Sequence, residues 1–446
     1  GIAGRITYNY DNRYFVEGNF GYNGSENFSP NHRFGFFPSI AVGYVVSNEK
    51  FFEPIRDVVS MVKLKASYGL VGNDQIGGDR RFIYNETVIG GGKYYFGTTP
   101  SQYTSVRLGE FPNPNVGWEK AKKLNLGADL SFFNQLNISV DYFKENREGI
   151  FLQRKSIPMY VGLSTKPWVN IGKMRNSGID ASLEYHQPLG KDLHLTVRGN
   201  FTYARNRIMD QDEPDYAYTY MNHSGQMQWQ KFGLVAAGLF QDQEDIDSWA
   251  KQSFGEVKPG DIKYLDLNGD GIVDNYDTKP IGYSDIPEIV YGFGFSLQWK
   301  AFDLSAFFQG VAHVSFSTLT DQTQAFVGRN LKESSVFADL YGNTWTPENP
   351  GAKYPRMTTG AIDNNNQLST FWMANGRYLR LKNLELGYTL PKRIANKIAM
   401  QSLRVYLSGV NLFTFSPFKL WDPDLQTGAT NYPNNRIINL GLTIGF

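Results

Sequence analysis

Residues 266 to 277 read "DLNGDGIVDNYD", a run in which oxygen-bearing side chains recur at the spacing a hard cation needs. Counting Asp266 as the first position, side-chain oxygens fall on Asn268, Asp270 and Asp274, and Gly271 takes the place of the sharp turn. Ile272 would offer its backbone carbonyl, and Asp277 would close the loop. The closing residue is aspartate where an EF-hand has a bidentate glutamate, and no amphipathic helix flanks the run. The spacing therefore predicts a structural Ca²⁺ loop and not the helix pair of a sensor. So many oxygens would repel one another without a cation, so bound Ca²⁺ would stabilise one conformer.

Other chemistry has less support. The five histidines, His32, His186, His194, His223 and His313, show no metal-ligand spacing, and no G-x-S-x-G elbow occurs. The glycines at 90–92 precede no helix, so they make no phosphate loop. Carboxylates such as Glu244 and Asp245 read as solvated loop charges, not as a glycosidase pair. No catalytic constellation is present, and an enzyme is not expected. Aromatics and amides crowd the stretch around the acidic run: Tyr218, Tyr220, Gln228 and Trp229 among them. Flat rings and amides suit sugars, peptides or a protein partner. Trp229, Tyr220 and Tyr218 are the expected contacts, against the alternative that they pack within their own loop.

These residues must be positioned by a framework that composition narrows. The chain has 446 residues, a net charge of +1, 15% aromatic residues and no cysteine. That balance gives no electrostatic footprint for nucleic acid and rules out disulfides and thiolate metal sites. The longest apolar stretch, "GLVAAGLF", is too short for a membrane helix. A soluble protein or a strand-built membrane protein remains. The chain opens on "GIAGRITYNY", already in strand-like alternation and with no signal peptide, so it reads as the latter part of a longer protein.

Alternation supports strands near 4–10, 13–22, 33–46, 61–71, 117–132, 137–150, 176–187, 192–208, 285–299, 302–316, 376–390, 401–413 and 436–446. Leu193, Leu195, Val197, Phe201 and Tyr203 share one face, opposite His194, Thr196, Arg198, Asn200 and Thr202. Short links ("DN" at 11–12, "NQL", "PLGK", "KAF", "PKRIANKIAM") alternate strictly with long ones at 72–116, 151–175, 209–284, 317–375 and 414–435. This predicts an all-β, transmembrane, antiparallel up-and-down β-barrel with short periplasmic turns and long extracellular loops. Thirteen strands is odd where bacterial single-chain barrels are even, so further strands are expected outside residues 1–446. Lys63, Lys65, Asp129, Asp141, Arg198 and Arg404 would face the lumen without a strong sign bias.

The stretches "NPNVGWEKAKKLNLGADLSFFNQLNISVDYFKENREGIFL", "NIGKMRNSGIDASLEY" and "PGDIKYLDLNGDGIVDNYDTKPIG" resemble the C-terminal barrel half of SusC/RagA-type TonB-dependent outer-membrane transporters of Bacteroidota. The resemblance covers essentially the whole chain. It implies about 13 of 22 strands here, an outer-membrane location, and active import of an oligosaccharide or peptide. It also implies a SusD-like surface lipoprotein as lid, energy from a TonB–ExbB–ExbD complex, and outer-membrane lipid around the strands. The ending "NLGLTIGF", closing on Phe446, resembles the signal read by the barrel-assembly machinery. A secreted, calcium-stabilised all-β protein that binds or cleaves carbohydrate is the other reading, and a passive porin a third.

Overall fold

The computed structural model describes residues 1–77, 80–163, 165–320, 323–324, 337–398, 400–428 and 431–446. The expected long links 72–116, 151–175, 317–375 and 414–435, and the link near 395, fall partly outside the described residues. Thirteen antiparallel strands form one sheet, and their order in the sheet is their order in the chain. They are β1 (Ile2–Tyr10), β2 (Tyr14–Gly24), β3 (Phe34–Val45), β4 (Val59–Asn73), β5 (Glu119–Phe132), β6 (Leu136–Gln153) and β7 (Trp168–Pro188). Then come β8 (Leu193–Asp210), β9 (Ile289–Trp299), β10 (Phe302–Ala312), β11 (Tyr378–Thr389), β12 (Ser402–Phe415) and β13 (Ile437–Gly445). This is the up-and-down sheet that the alternation predicts. Among the described residues no helix is long and apolar enough to cross a membrane, which says nothing of crossing by strands.

Turn chemistry sets the register of the short links. Asp11 and Asn12 both take left-handed backbone angles (φ +53 and +50), as the two central positions of a turn that follows strand twist require, and the Arg13 amide donates to the Tyr10 carbonyl to close it. Asn9 Oδ1 accepts a hydrogen bond from the Asn12 amide and holds the corner. Phe133 and Asn134 repeat the pair of positive angles between β5 and β6. The strict short-long alternation fails at one place. The link 46–58, on the side of the short turns, contains two 3-10 turns and is longer than the link 25–33 on the other side.

The molecule divides into two compact units, residues 1–180 with 204–215 and 223–225, and residues 181–203 with 216–222 and 226–446. In the first, Tyr8, Val16, Val42, Ala66, Leu126 and Tyr142 are successive cross-strand partners from β1 to β6. In the second, Leu195, Leu297, Leu304, Leu386, Leu407 and Leu440 are successive partners from β8 to β13. Yet many of these apolar side chains are exposed: Tyr8, Val16, Val42, Leu126, Leu386, Leu407 and Leu440 all lie open. Water would penalise such a face at roughly 25 cal/mol per Å², whereas hydrocarbon would not. Lipid is its natural solvent.

The buried cores lie in the long links. In the second unit Leu234, Ile262, Tyr264, Val273, Leu340, Trp345 and Trp372 form one core, drawn from the segments after β8 and after β10. Short ladders pin it: Ala236–Leu239 with Ile262–Tyr264, Lys231–Gly233 with Lys279–Ile281, and Lys251–Gln252 with Ile272–Val273. Much of the stretch 209–284, expected as one long loop, is thus packed within the second unit. In the first unit Phe28, Ile76, Ile83 and Val116 make a smaller core, capped by Trp118, Phe151 and Trp168. A two-stranded ribbon, Val88–Phe96 with Ser101–Leu108, fills part of the link 74–118 that reads as loop in the sequence.

Candidate functional site

The acidic run begins where the strand Ile262–Tyr264 leaves the second unit's core, and it re-enters the core through Val273, which is fully buried. Gly269 and Gly271 take φ of +78 and +85, so the turn runs through left-handed backbone that glycine adopts without strain. Each acid then folds back on the loop. Asp266 accepts hydrogen bonds from the amides of Gly269 (2.7 Å) and Gly271 (2.8 Å). Asn268 Oδ1 accepts from the Asp270 amide, and Asp270 accepts from the Ile272 amide and the Asn268 side chain. Asp274 and Asp277 form a reciprocal cap on a single 3-10 turn. Asp277, wholly buried, accepts from Leu267 (2.6 Å), Asn268 (3.3 Å) and Asp274 (2.8 Å) amides.

These donors are all oxygens, as a hard cation requires, and a carboxylate oxygen that accepts one amide keeps a second lone pair. Among the described residues, however, no three His, Cys, Asp or Glu side chains are gathered as a metal cluster. The donor chemistry fits Ca²⁺, and the backbone amides hold the side chains in a fold that is already closed.

Two of the expected contact residues sit on this loop. The rings of Tyr218 and Tyr220 stack at 5.4 Å, Tyr218 meets Tyr276 edge-on at 6.2 Å, and the Tyr220 hydroxyl donates to the Tyr276 carbonyl at 2.7 Å. Burial, followed by the charge of Asp277 and then that of Asp266 and Asp270, pushes the Tyr220 hydroxyl above the usual tyrosine value. Trp229 differs. It is 60% exposed with a φ of +64, an uncommon backbone for a bulky residue. Its neighbours hold it there: Met227 is buried, and the Gln230 side-chain Nε2 lies within hydrogen-bond reach of the carbonyls of Lys231, Ile281 and Gly282. Phe446 follows the last strand directly and is exposed, in step with Ile438, Leu440, Leu442 and Ile444.

The sheet face opposite the apolar rows carries charges that neutralise one another. Lys65 meets Asp129 at 2.7 Å and Asp141 at 3.5 Å, with Ser139 donating to Asp129. Arg404 bridges Asp303 and Glu385 across three strands. Arg198 pairs with Glu184, and His186 with Thr196 and Glu184.

Sequence reasoning missed two arginine clamps, each with one fully buried partner. Arg356 pairs with the fully buried Asp261, whose carboxylate also accepts from Asn365, tying the segment after β8 to the segment after β10. Arg380 on β11, 2% exposed, holds both Asp422 and Asp424. The "WDPD" stretch carried a signal, since Asp before Pro starts turns and two acids two apart can grip one guanidinium. Asp261 had none.

Comparison with known proteins gives this geometry its relatives. The TonB dependent receptor-like β-barrel family matches residues 2–412. TonB-dependent receptor P3 of Formosa agariphila is 30% identical over 472 residues, covering 100% of this chain and 45% of its own. TonB-dependent receptor SusC of Bacteroides thetaiotaomicron is 27% identical over 470 residues, covering 99% and 43%. The RagAB peptide transporter structure superposes with a TM-score of 0.76 at 22% identity, covering 100% of this chain and 47% of the matched one, a likeness of fold. The chain spans about half the length of the relatives it matches. The reading as a secreted all-β protein is set aside by this family match, whose members are TonB-dependent receptor-like β-barrels. With its apolar rows turned to lipid and its charges paired on the other face, the chain belongs to the TonB-dependent receptor-like β-barrel family and resides in the outer membrane, which it crosses by strands.

Proposed function

We propose that the protein imports a large nutrient, an oligosaccharide or a peptide, across the outer membrane in an energised cycle, working with a SusD-like lipoprotein lid and a TonB–ExbB–ExbD complex. The observation that carries this reading is the pairing of a membrane-type sheet with long links that hold their own packed cores. A pore needs only loops that stay out of the way. Links that bury Trp345 and Trp372 and are braced by ion pairs such as Arg356 with Asp261 are suited to holding a defined surface toward a ligand or partner.

A macromolecular partner is further supported by apolar side chains left open on the first unit's links. Tyr94, Tyr95, Phe96 and Val106 on the ribbon, and Met159 and Tyr160 after β6, are each exposed, as side chains that dock a partner are. On this reading Trp229 is a contact to substrate or lid, and Tyr218 and Tyr220 shape that contact through the acidic loop. Residues Asp266, Asn268, Asp270, Ile272, Asp274 and Asp277 would hold a structural Ca²⁺, which would stiffen the same loop. Phe446 would be read by the barrel-assembly machinery during insertion.

The test is uptake of labelled oligosaccharides and peptides by cells carrying the intact transporter, with and without a proton gradient. Accumulation above the external concentration that collapses when the gradient is removed is the expected result. Uptake that merely equilibrates, and survives loss of the gradient, would establish a passive porin instead.

A further inference from the structure

Within the second unit a cleft of about 570 Å³ opens between the segments after β10, around 353–354 and 371–375, and after β12. Its volume is that of a small-molecule site. Its walls include Phe337, Phe371 and Phe418, with Pro417 and Leu420 beside them. Phe418 is held edge-on by Trp421 (4.7 Å) and Phe316 (5.0 Å), and Phe371 by Trp372 (5.0 Å), so these rings are fixed in place before any ligand arrives. Charge is unevenly spread around them. Asp339 is committed to Lys353 and to the Tyr354 hydroxyl. The hydrogen bonds from Lys353 and then Tyr354 hold the Asp339 carboxyl below its usual range, so it stays ionised. Lys419, next to Phe418, has no carboxylate partner among the described residues, which leaves the cleft one positive charge in excess.

We infer that this cleft is a subsite for the C-terminal residue of an imported peptide, a bulky apolar side chain entering between Phe337, Phe371 and Phe418 while its free carboxylate meets Lys419. The inference rests on the import reading and chooses between its two nutrient classes. Sugar rings carry hydroxyls all round and need many side-chain donors and acceptors. The polar groups in the walls are mostly spent: Asp339, Lys353 and Tyr354 on one another, Thr318 on the Trp372 carbonyl and the Trp372 indole on the Asn365 carbonyl, so desolvated sugar hydroxyls would find few partners beside the rings. A peptide C-terminus combines what the cleft does satisfy, an apolar body and one anionic group.

The experiment uses the intact transporter with its lid, purified in detergent, and titration calorimetry with three probes: a tetrapeptide ending in phenylalanine, the same peptide with an amidated C-terminus, and a neutral tetrasaccharide. The free acid should bind, and amidation should weaken it about tenfold, the scale of one lost charge contact in a partly desolvated site. Lys419→Glu should weaken the free acid by at least that factor and leave the amide unchanged. Phe371→Ala should weaken both peptides. Heat-modifiable migration on gels checks that each variant is folded. Equal binding of acid and amide, a Lys419→Glu variant with unaltered affinity, or binding of the saccharide alone would overturn the inference. Gradient-dependent uptake is scored separately, so the subsite can fail while the import reading stands, and uptake without a gradient would remove the import reading by itself.

Discussion

Replacing Asp277 with alanine isolates what the acidic loop contributes. Its carboxylate is fully buried and accepts three backbone amides, two of them at 2.6 and 2.8 Å. A buried donor left unpaired costs about 1–3 kcal/mol, and water entering the vacated space recovers part of this, so two short bonds amount to roughly 3 kcal/mol. The opposing term is relief of repulsion from Asp266, Asp270 and Asp274, which across water and screened by salt is about 1 kcal/mol in total. Loss of hydrogen bonds wins by about 2 kcal/mol, and local opening of the loop becomes about 30-fold more frequent. Amide hydrogen exchange reads this directly. The amides of Leu267, Asn268 and Asp274 should lose protection by that factor while those of the thirteen strands keep theirs. Asp277→Asn, which retains one carbonyl oxygen, should fall between wild type and alanine. Unchanged exchange at those amides, or a loss that spreads through the sheet, would refute the view that Asp277 is the local keystone of this loop.

If the loop holds Ca²⁺, a chelator should increase protease cleavage within 266–277 in the wild type and have no further effect in Asp270→Ala, with mass-mapped cleavage sites as the readout. Asp212 accepts the amides of Lys155 and Ser156, the Ser156 hydroxyl and Arg154. Burial raises its carboxyl, but these hydrogen bonds outweigh burial and hold it below the usual range. Its contribution should therefore be complete at neutral pH and down to about pH 4, then be lost as pH falls through the depressed value. Exchange protection at Ser156 measured against pH checks the sign, and Asp212→Asn should abolish the dependence. Lys65→Met leaves Asp129 and Asp141 facing each other and should lower the thermal midpoint of heat-modifiable migration, by roughly 1 kcal/mol of stability, with Asp129→Asn restoring part of it. Trp229→Gly should relieve a strained backbone at about 1 kcal/mol while weakening capture of substrate or lid, a gain in stability paired with a loss of binding.

The sheet was legible because lipid imposes a rule on every other residue. Leu195, Leu297, Leu304, Leu386, Leu407 and Leu440 come from six separate strands, and each stands in a local alternation that can be read without knowing its partner. All thirteen strands were placed on that signal, and errors gathered at their ends. Trp168–Pro188 starts earlier than the alternation indicates because its first residues pack under Phe151 and Arg80, at 5.0 and 4.2 Å from the Trp168 ring, as part of a loop core. The acidic loop was legible for a similar reason: its chemistry is local, and each carboxylate serves an amide two to ten residues away.

What the sequence hid is whatever depends on long-range pairing. Asp261 finds Asn365 across 104 positions, and Ile262 donates its amide to the same side chain across 103. Neither spacing leaves a period to detect, and a lone buried aspartate reads as one more solvated loop charge until Arg356 is seen beside it. The same holds for Leu234, whose amide and carbonyl are both taken by backbone groups around Ser369. Such contacts matter for function more than their number implies. A segment closed only by local turns would hold Trp229 loosely, whereas cross-bracing by the Asp261–Arg356 pair and a shared core gives the segment that carries it a set backbone frame. Fixing it in advance lowers the entropy lost when a ligand or lid arrives. On the proposed function, the surface around Trp229 is set by the contacts that local pattern cannot show, on a sheet that local pattern shows almost completely.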